Sequence, residues 1–391
     1  MKHISFALLL VLITTGCGAA RKVELSNIAK AQSTLDSVYR YYSVQNTTLL
    51  RETFPFNSDY AATYLDNQDQ AKPNPYSFLW PYSGSLSAVS AIMMHKKTKG
   101  VESYLTAKVL PGLAHYFDTI RSPFAYASYI NDAPPSDRFY DDNVWLGIDF
   151  TELYLHTSKA EYLEQAKLIW KFIESGTDEK LGGGIYWCEQ SKKSKNTCSN
   201  APGAVYALKL FEATKDSSYF NQGKTLYEWT KNTLQDKNDY LYFDNIGLNG
   251  RVQKRKYAYN SGQMIQAAAL LYKLTDKKEY LVDAQNIAQS AHNYFFEDFS
   301  AADGSKMKIL KKGDIWFTAI MFRGFVELYH LDKNKTYLQD FDKNLNFAWK
   351  NMREQNGLFN SDWSGQTKDK SKWLLTQFAM AEMYARMPEL K

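Results

Sequence analysis

Along this 391-residue chain, stretches that are apolar on every side alternate with stretches that are apolar on one face only. Met264 to Leu274 and Trp316 to Leu331 are of the first kind. Tyr280 to Phe295 is of the second, with Leu281, Ala284, Ile287, Ala288 and Ala291 at helical spacing. A helix apolar all round belongs inside and an amphipathic one outside, so each pair predicts an inner–outer helical hairpin. The pairs keep register. A Tyr followed by Leu or Phe stands at Tyr104, Tyr162, Tyr219, Tyr280 and Tyr337, at intervals of 57 to 61 residues. Just before each comes Thr98, Thr157, Thr214, Thr275 or Asp332, and four residues earlier an apolar position: Met94, Leu153, Leu210, Leu271, Leu328. A constant period of this length marks stacked helical hairpins.

The five units leave two segments unpaired. One is amphipathic and N-terminal, roughly Val23 to Tyr42; the other is apolar and C-terminal, Lys372 to Met387. Pairing them closes a ring, a match that an open solenoid does not need. The expected fold is all-α: a single-domain (α/α)6 toroid over residues 25–391. Loops such as Gly182 to Pro202 and Asp236 to Gly250 have room for small β-hairpins.

In such a ring all six inner helices start at one end. Counting back about eleven residues from the equivalent apolar position of each unit reaches Ser83, Asp142, Asn200, Asn260, Phe317 and Lys372. Their neighbours are rich in chemistry: Trp80-Pro81-Tyr82, Tyr140-Asp141-Asp142-Asn143, Tyr259-Asn260, and Asp314 with Trp316. Amides that bond hydroxyls, beside aromatic faces, suit a neutral polyhydroxylated ligand. Asp141-Asp142 is the sharpest pair. Glycosidic hydrolysis uses two carboxyl groups, and adjacent carboxylates drive their pKa values apart. The plainer reading is a helix start, where Asp is favoured as cap and first-turn residue.

Charge and rival motifs narrow the classes. Forty-seven basic against 42 acidic residues give a net charge of +5, too small for an electrostatic nucleic-acid binder. Apolar residues at 45% and aromatic ones at 15% exclude disorder. Gln222-Gly223-Lys224-Thr225 lacks the first Gly of a P-loop, and the six His show no H-E-x-x-H spacing. Neither a metal nor a cofactor is expected.

The N-terminus is a targeting segment. Met1-Lys2-His3 is basic, Phe6 to Ile13 is apolar, and Gly16-Cys17 follows. This resembles a bacterial lipoprotein box, with Thr14 where that box usually has Leu. The expectation is a signal peptide over 1–16, lipidation at Cys17, a tether over 17–24, and contact with a membrane through the lipid anchor alone. Cys188 and Cys198, an even pair in an exported chain, are expected to form a disulfide, with two free thiols as the alternative.

Phe139-Tyr140-Asp141-Asp142-Asn143-Val144-Trp145 resembles the paired-Asp motif of glycoside hydrolase family 76, the endo-α-1,6-mannanases. Leu79-Trp80-Pro81, Gly183-Gly184-Ile185-Tyr186-Trp187, Tyr259-Asn260-Ser261-Gly262-Gln263, Arg323-Gly324 and Thr376-Gln377 follow in family order. The resemblance implies a retaining hydrolase of α-mannan or manno-oligosaccharides, with Asp141 as nucleophile and Asp142 as acid and base. It also implies sugar contacts from Trp80, Tyr140, Asn200, Asp244, Tyr259, Asn260 and Trp363. A transglycosylase on the same scaffold and a non-catalytic glycan-binding lipoprotein are the alternatives. The expected setting is a monomer in a Gram-negative envelope. It is placed on the periplasmic side because Gly18-Ala19-Ala20-Arg21-Lys22 carries no acidic residue.

Overall fold

The structure is a computed structural model that describes residues 25–67, 74–95 and 100–390. The signal, the lipidation position Cys17 and the whole tether lie outside these residues. In chain order the helices begin with α1 (Asn27–Tyr41), α2 (Leu79–Met93) and α3 (Val101–Tyr104). A π-helical turn (Leu105–Val109) joins α3 to α4 (Leu110–Ala114), followed by α5 (Tyr140–Thr157) and α6 (Ala160–Ser175). The remainder are α7 (Thr197–Thr214), α8 (Ser217–Leu234), α9 (Ala258–Thr275), α10 (Lys278–Phe295), α11 (Ile315–Asp332), α12 (Thr336–Asn351) and α13 (Leu374–Arg386). Short strands fill the connections: β1 (Thr53–Phe54), β2 (Phe117–Asp118), β3 (Ala125–Tyr126), β4 (Ser194–Asn196) and β5 (Phe243–Gly247). They continue with β6 (Val252–Lys256), β7 (Phe296–Ser300), β8 (Lys306–Leu310) and β9 (Lys372–Trp373).

The fold is the (α/α)6 toroid. The inner ring is α2, α5, α7, α9, α11 and α13, buried along most of its length; the outer helices bury one face each. As expected, the first helix, α1, packs on the last, α13. Antiparallel pairing of β1 with β9 clasps this closure, and the Tyr42 hydroxyl donates to the Lys372 carbonyl at 2.9 Å.

Local chemistry explains the period. Thr157, Thr214 and Thr275 end inner helices, and each hydroxyl donates to the carbonyl four residues back at 2.6–2.7 Å. The same oxygens accept the backbone N–H two residues on, from Lys159, Asp216 and Lys277 at 3.2–3.3 Å. Asp332 accepts from Asn334 in the same way. The residue between, Ser158, Lys215, Asp276 or Lys333, is left-handed and turns the chain outward. The recurring Tyr then packs on the preceding outer helix: Tyr104 on Tyr39, Tyr219 on Trp170, Tyr280 on Tyr227, Tyr337 on His292. Where α9 meets α11 the backbones nearly touch. A Cβ on Gly324 would lie 2.2 Å from the Gly262 carbonyl oxygen, so only glycine fits.

Candidate active site

The inner helices start at one end of the ring, and in four of the six a polar side chain in the first turn pins the adjoining loop. The Asn143 amide brackets Tyr126, accepting from its N–H at 2.8 Å and donating to its carbonyl at 2.9 Å. Asn200 does this to Ile185, and Gln377 to Phe359. At the matching position of α9, Ser261 accepts from the Tyr242 N–H. These side chains use their polar atoms on backbone, which fixes the walls of a cavity of about 820 Å³ at the mouth.

Aromatic rings line most of that cavity. Trp80 sits edge-on to Tyr64, Trp316 and Trp373, at centroid distances of 4.9, 5.4 and 5.3 Å. Tyr259 stacks on Phe317 at 4.1 Å, and Trp145 meets Trp316 edge-on at 4.9 Å. Buried Glu52 anchors one wall by accepting from the Tyr64 hydroxyl (2.6 Å), the Phe78 N–H (3.0 Å) and Trp373 Nε1 (3.1 Å). Such walls can cover the apolar faces of sugar rings.

Four carboxyl groups reach this cavity, Asp141, Asp142, Asp244 and Asp314, against one cationic side chain, Arg255. Asp141 and Asp142 occupy the first turn of α5. The segment before α5 pairs with the strand-like run at Trp187-Cys188, which carries the Trp187 indole over Asp141. Asp141 Oδ2 accepts from Trp187 Nε1 at 3.0 Å and from the Cys198 thiol at 3.2 Å, and Oδ1 from the Asp142 N–H at 3.1 Å. Hydrogen bonds of this kind favour the ionised form. Among the described residues no donor reaches the Asp142 carboxyl. Burial, followed by the charge of Asp141, drives its pKa well above the carboxylate range. Burial also raises Asp141, but its three donors pull the other way. The pair is therefore asymmetric: three donors favour the ionised form of Asp141, and nothing offsets the rise at Asp142. Burial pushes Asp244, on β5, and Asp314, capping α11, up to about 6.

The sequence matches the profile of glycosyl hydrolase family 76 over residues 59–387. The chain belongs to that family. A family 76 glycoside hydrolase (mannosidase) of Bacteroides thetaiotaomicron VPI-5482 superposes with a TM-score of 0.82 at 33% identity, covering 92% of this chain and 97% of that one. A family 76 enzyme from a bovine strain of the same species gives 0.83 at 32%, covering 93% of this chain and 77% of that one. The mannan endo-1,6-alpha-mannosidase DCW1 of Candida glabrata is 30% identical over 106 residues, which is 25% of this chain. The matched region spans 24% of that protein's length.

Within this family 76 chain, Asp141, Asp142, Trp80, Asp244 and Tyr259 meet at the cavity as the sequence suggested. Four expected sugar contacts do not. Tyr140 is buried behind the cleft, stacked on Phe172 at 4.6 Å, because the helix turn that aims Asp141 inward aims its neighbour outward. Asn200 gives its amide to Ile185 and Asn196. Asn260 is fully buried in the first turn of α9, and Trp363 is buried in the segment before β9. The Cys188–Cys198 disulfide is also corrected. Both thiols are free and buried; Cys188 lies against Gln190, and Cys198 has turned to Asp141.

Several lining residues were not singled out as sugar contacts. Counting places Asp314 and Trp316 at the mouth without assigning them a role, and in the sequence Trp187 stands out only as part of a glycine motif. Tyr64, Arg255 and Tyr257 come from connecting segments, where helical counting carries no signal, and Trp373 adjoins Lys372, which counting reaches without marking the ring beside it. Among the described residues no cluster of His, Cys, Asp and Glu is suited to a metal ion.

Proposed function

We propose that this family 76 chain is a retaining, endo-acting glycoside hydrolase that cleaves α-1,6-mannosidic bonds in α-mannan by double displacement. The observation that carries the reading is the asymmetry of the pair: three donors reach the Asp141 carboxylate and favour its ionised form, while among the described residues none reaches Asp142, which suits the nucleophile and the acid respectively. The Asp141 carboxylate attacks the anomeric carbon as Asp142 transfers its proton to the departing glycosidic oxygen. The resulting mannosyl–Asp141 ester is then opened by water, whose proton returns to Asp142 as the C–O bond to the sugar forms. Trp80, Tyr259 and Phe317 provide ring faces for the sugar, and Asp244 and Asp314 provide hydroxyl acceptors. Mannan as substrate and the α-1,6 linkage follow the resemblance and the names of the relatives, which fit a cavity with aromatic walls and one cation.

The cellular setting belongs to the same reading: export, lipidation at Cys17, and a monomer facing the periplasm. Labelling with a radioactive fatty acid in Cys17→Ala and unsubstituted cells checks the anchor, and protease treatment of intact cells checks the facing. The reaction is tested with purified protein and debranched α-1,6-mannan, following product size and anomeric NMR. Short oligosaccharides released first with α configuration are expected. First-formed β products would refute the double displacement, and binding without turnover would leave a glycan-binding protein.

A further inference from the structure

One donor to the Asp141 carboxylate is unusual. Cys198, the second residue of α7, is 3% exposed, and its Sγ lies 3.2 Å from Asp141 Oδ2. The same thiol also faces Tyr259 in the first turn of α9. One sulfur thus ties three inner helices, α5, α7 and α9, at the point where the reaction would begin. We infer that Cys198 is a positioning residue: with Trp187 it orients the Asp141 carboxylate for attack and favours its ionised form. This rests on the hydrolase reading above.

The sulfur must carry its proton to act this way. Burial, then the charges of Asp141 and Asp244, push its pKa well above that of an ordinary thiol, so it is an S–H donor. The titratable groups that face Asp141 are Asp142 on its own helix, Cys198 on α7 and Tyr259 on α9; Asp244 on β5 faces Cys198 and Tyr259. A thiol is a weaker donor than a hydroxyl. It can fix the direction of the carboxylate while damping its nucleophilicity less than a serine would. A buried cysteine often only fills space. The alternative is therefore a packing residue whose loss lowers stability and leaves the titration of Asp141 alone.

The experiment compares Cys198→Ala, Cys198→Ser and, as a control, Cys188→Ser in kcat/KM against pH on an α-1,6-manno-oligosaccharide. Losing a donor to the ionised form raises the pKa of Asp141, so the acid limb for Cys198→Ala moves up by about half to one pH unit. Its kcat falls about tenfold while KM changes little. Cys198→Ser restores most of kcat, with its acid limb at or below that of the unsubstituted protein, and Cys188→Ser matches the unsubstituted protein. Infrared titration of the carboxyl stretch, assigned by its loss in Asp141→Asn, reads the same shift without turnover. An inactive unsubstituted protein would thus refute the proposed reaction and leave this inference to the infrared shift. Superimposable titrations in the Cys198 variants, with only a lower Tm, would overturn the inference.

Discussion

The two levels of the ring interior handle charge in opposite ways. At the mouth, four carboxyl groups share one cation. Eight to twelve residues further along the inner helices, roughly 12–18 Å deeper, every inner helix but α2 carries an ionised or amide side chain into a matched network. Arg323 reaches Glu382 at 2.6 Å and Asp149 at 3.3 Å; Arg386 joins Glu382 at 2.6 Å and Glu152 at 2.7 Å. Lys209 bonds Glu152 at 3.0 Å, and Gln266 extends the chain to Glu327. α2 contributes Ser87, which donates to Asp149 at 2.5 Å. Although burial opposes its ionisation, Arg386, Lys209 and Arg323 hold Glu152 well below the carboxylate range. Charges matched in the interior hold helices together; charges left unmatched beside a cleft are available for proton transfer and attack.

That contrast breaks most sharply at its extremes. Replacing Asp141 or Asp142 with Asn should lower kcat/KM on α-1,6-mannan by about 10³–10⁵-fold. For Asp142→Asn, which replaces a buried carboxyl that no donor reaches with an amide that cannot ionise, Tm should hold or rise by roughly 1–3 °C. An active Asp142→Asn protein would end the acid assignment. Arg323→Ala inverts the pattern. It takes the cation from Asp149 and leaves Glu382 with Arg386 alone, and should cost about 3–5 kcal/mol of folding stability, read as a lower urea midpoint, while the folded fraction keeps its specific activity. Stability unchanged by that substitution would mean that the network is not structural.

Smaller effects sharpen the picture. Glu52→Gln takes away an acceptor from the wall that holds Tyr64 and Trp373, so KM should rise about three- to tenfold with kcat nearly constant. A drop in kcat alone would move Glu52 into the chemistry. The smallest effect is in pH. Asp244 and Asp314 bind protons more tightly folded than unfolded, so their contribution is full below the unfolded pKa and is lost as pH rises through about 6. Glu152 has the opposite sign, its contribution being lost only as pH falls below 4.5. Tm measured between pH 4.5 and 7 should therefore decline less in Asp244→Asn than in the unsubstituted protein; parallel curves would place the titration elsewhere.

Much of the architecture was legible because its causes are local. The Thr that ends an inner helix, the left-handed turn and the Tyr that starts the outer helix repeat as sequence, and the ring closure followed from the two unpaired ends. The paired Asp was legible for the same reason, since a helix start can be found by counting. What counting could not supply was side-chain direction. Tyr140 and Asp141 are neighbours, yet a turn of about 100° per residue sends one behind the wall and the other into the cleft. Asn200 looked like a sugar ligand because an amide that brackets a backbone and one that binds a hydroxyl share the same letter. Cys188 and Cys198 satisfied an even count, but their partners are set by a β-bridge and a helix start that spacing does not encode. The deeper network left a readable trace, single charges such as Asp149, Lys209 and Arg323 in otherwise apolar helices; only their mutual contacts show that they form one group.

The asymmetry of the Asp pair is tested most directly by trapping the covalent intermediate. A 2-deoxy-2-fluoro-α-mannosyl fluoride is mixed with the purified protein, which is then digested and sequenced by mass spectrometry. The fluoromannosyl group is expected on Asp141. The label on Asp142 or Asp244, or continued turnover with inversion and no labelled peptide, would contradict the account.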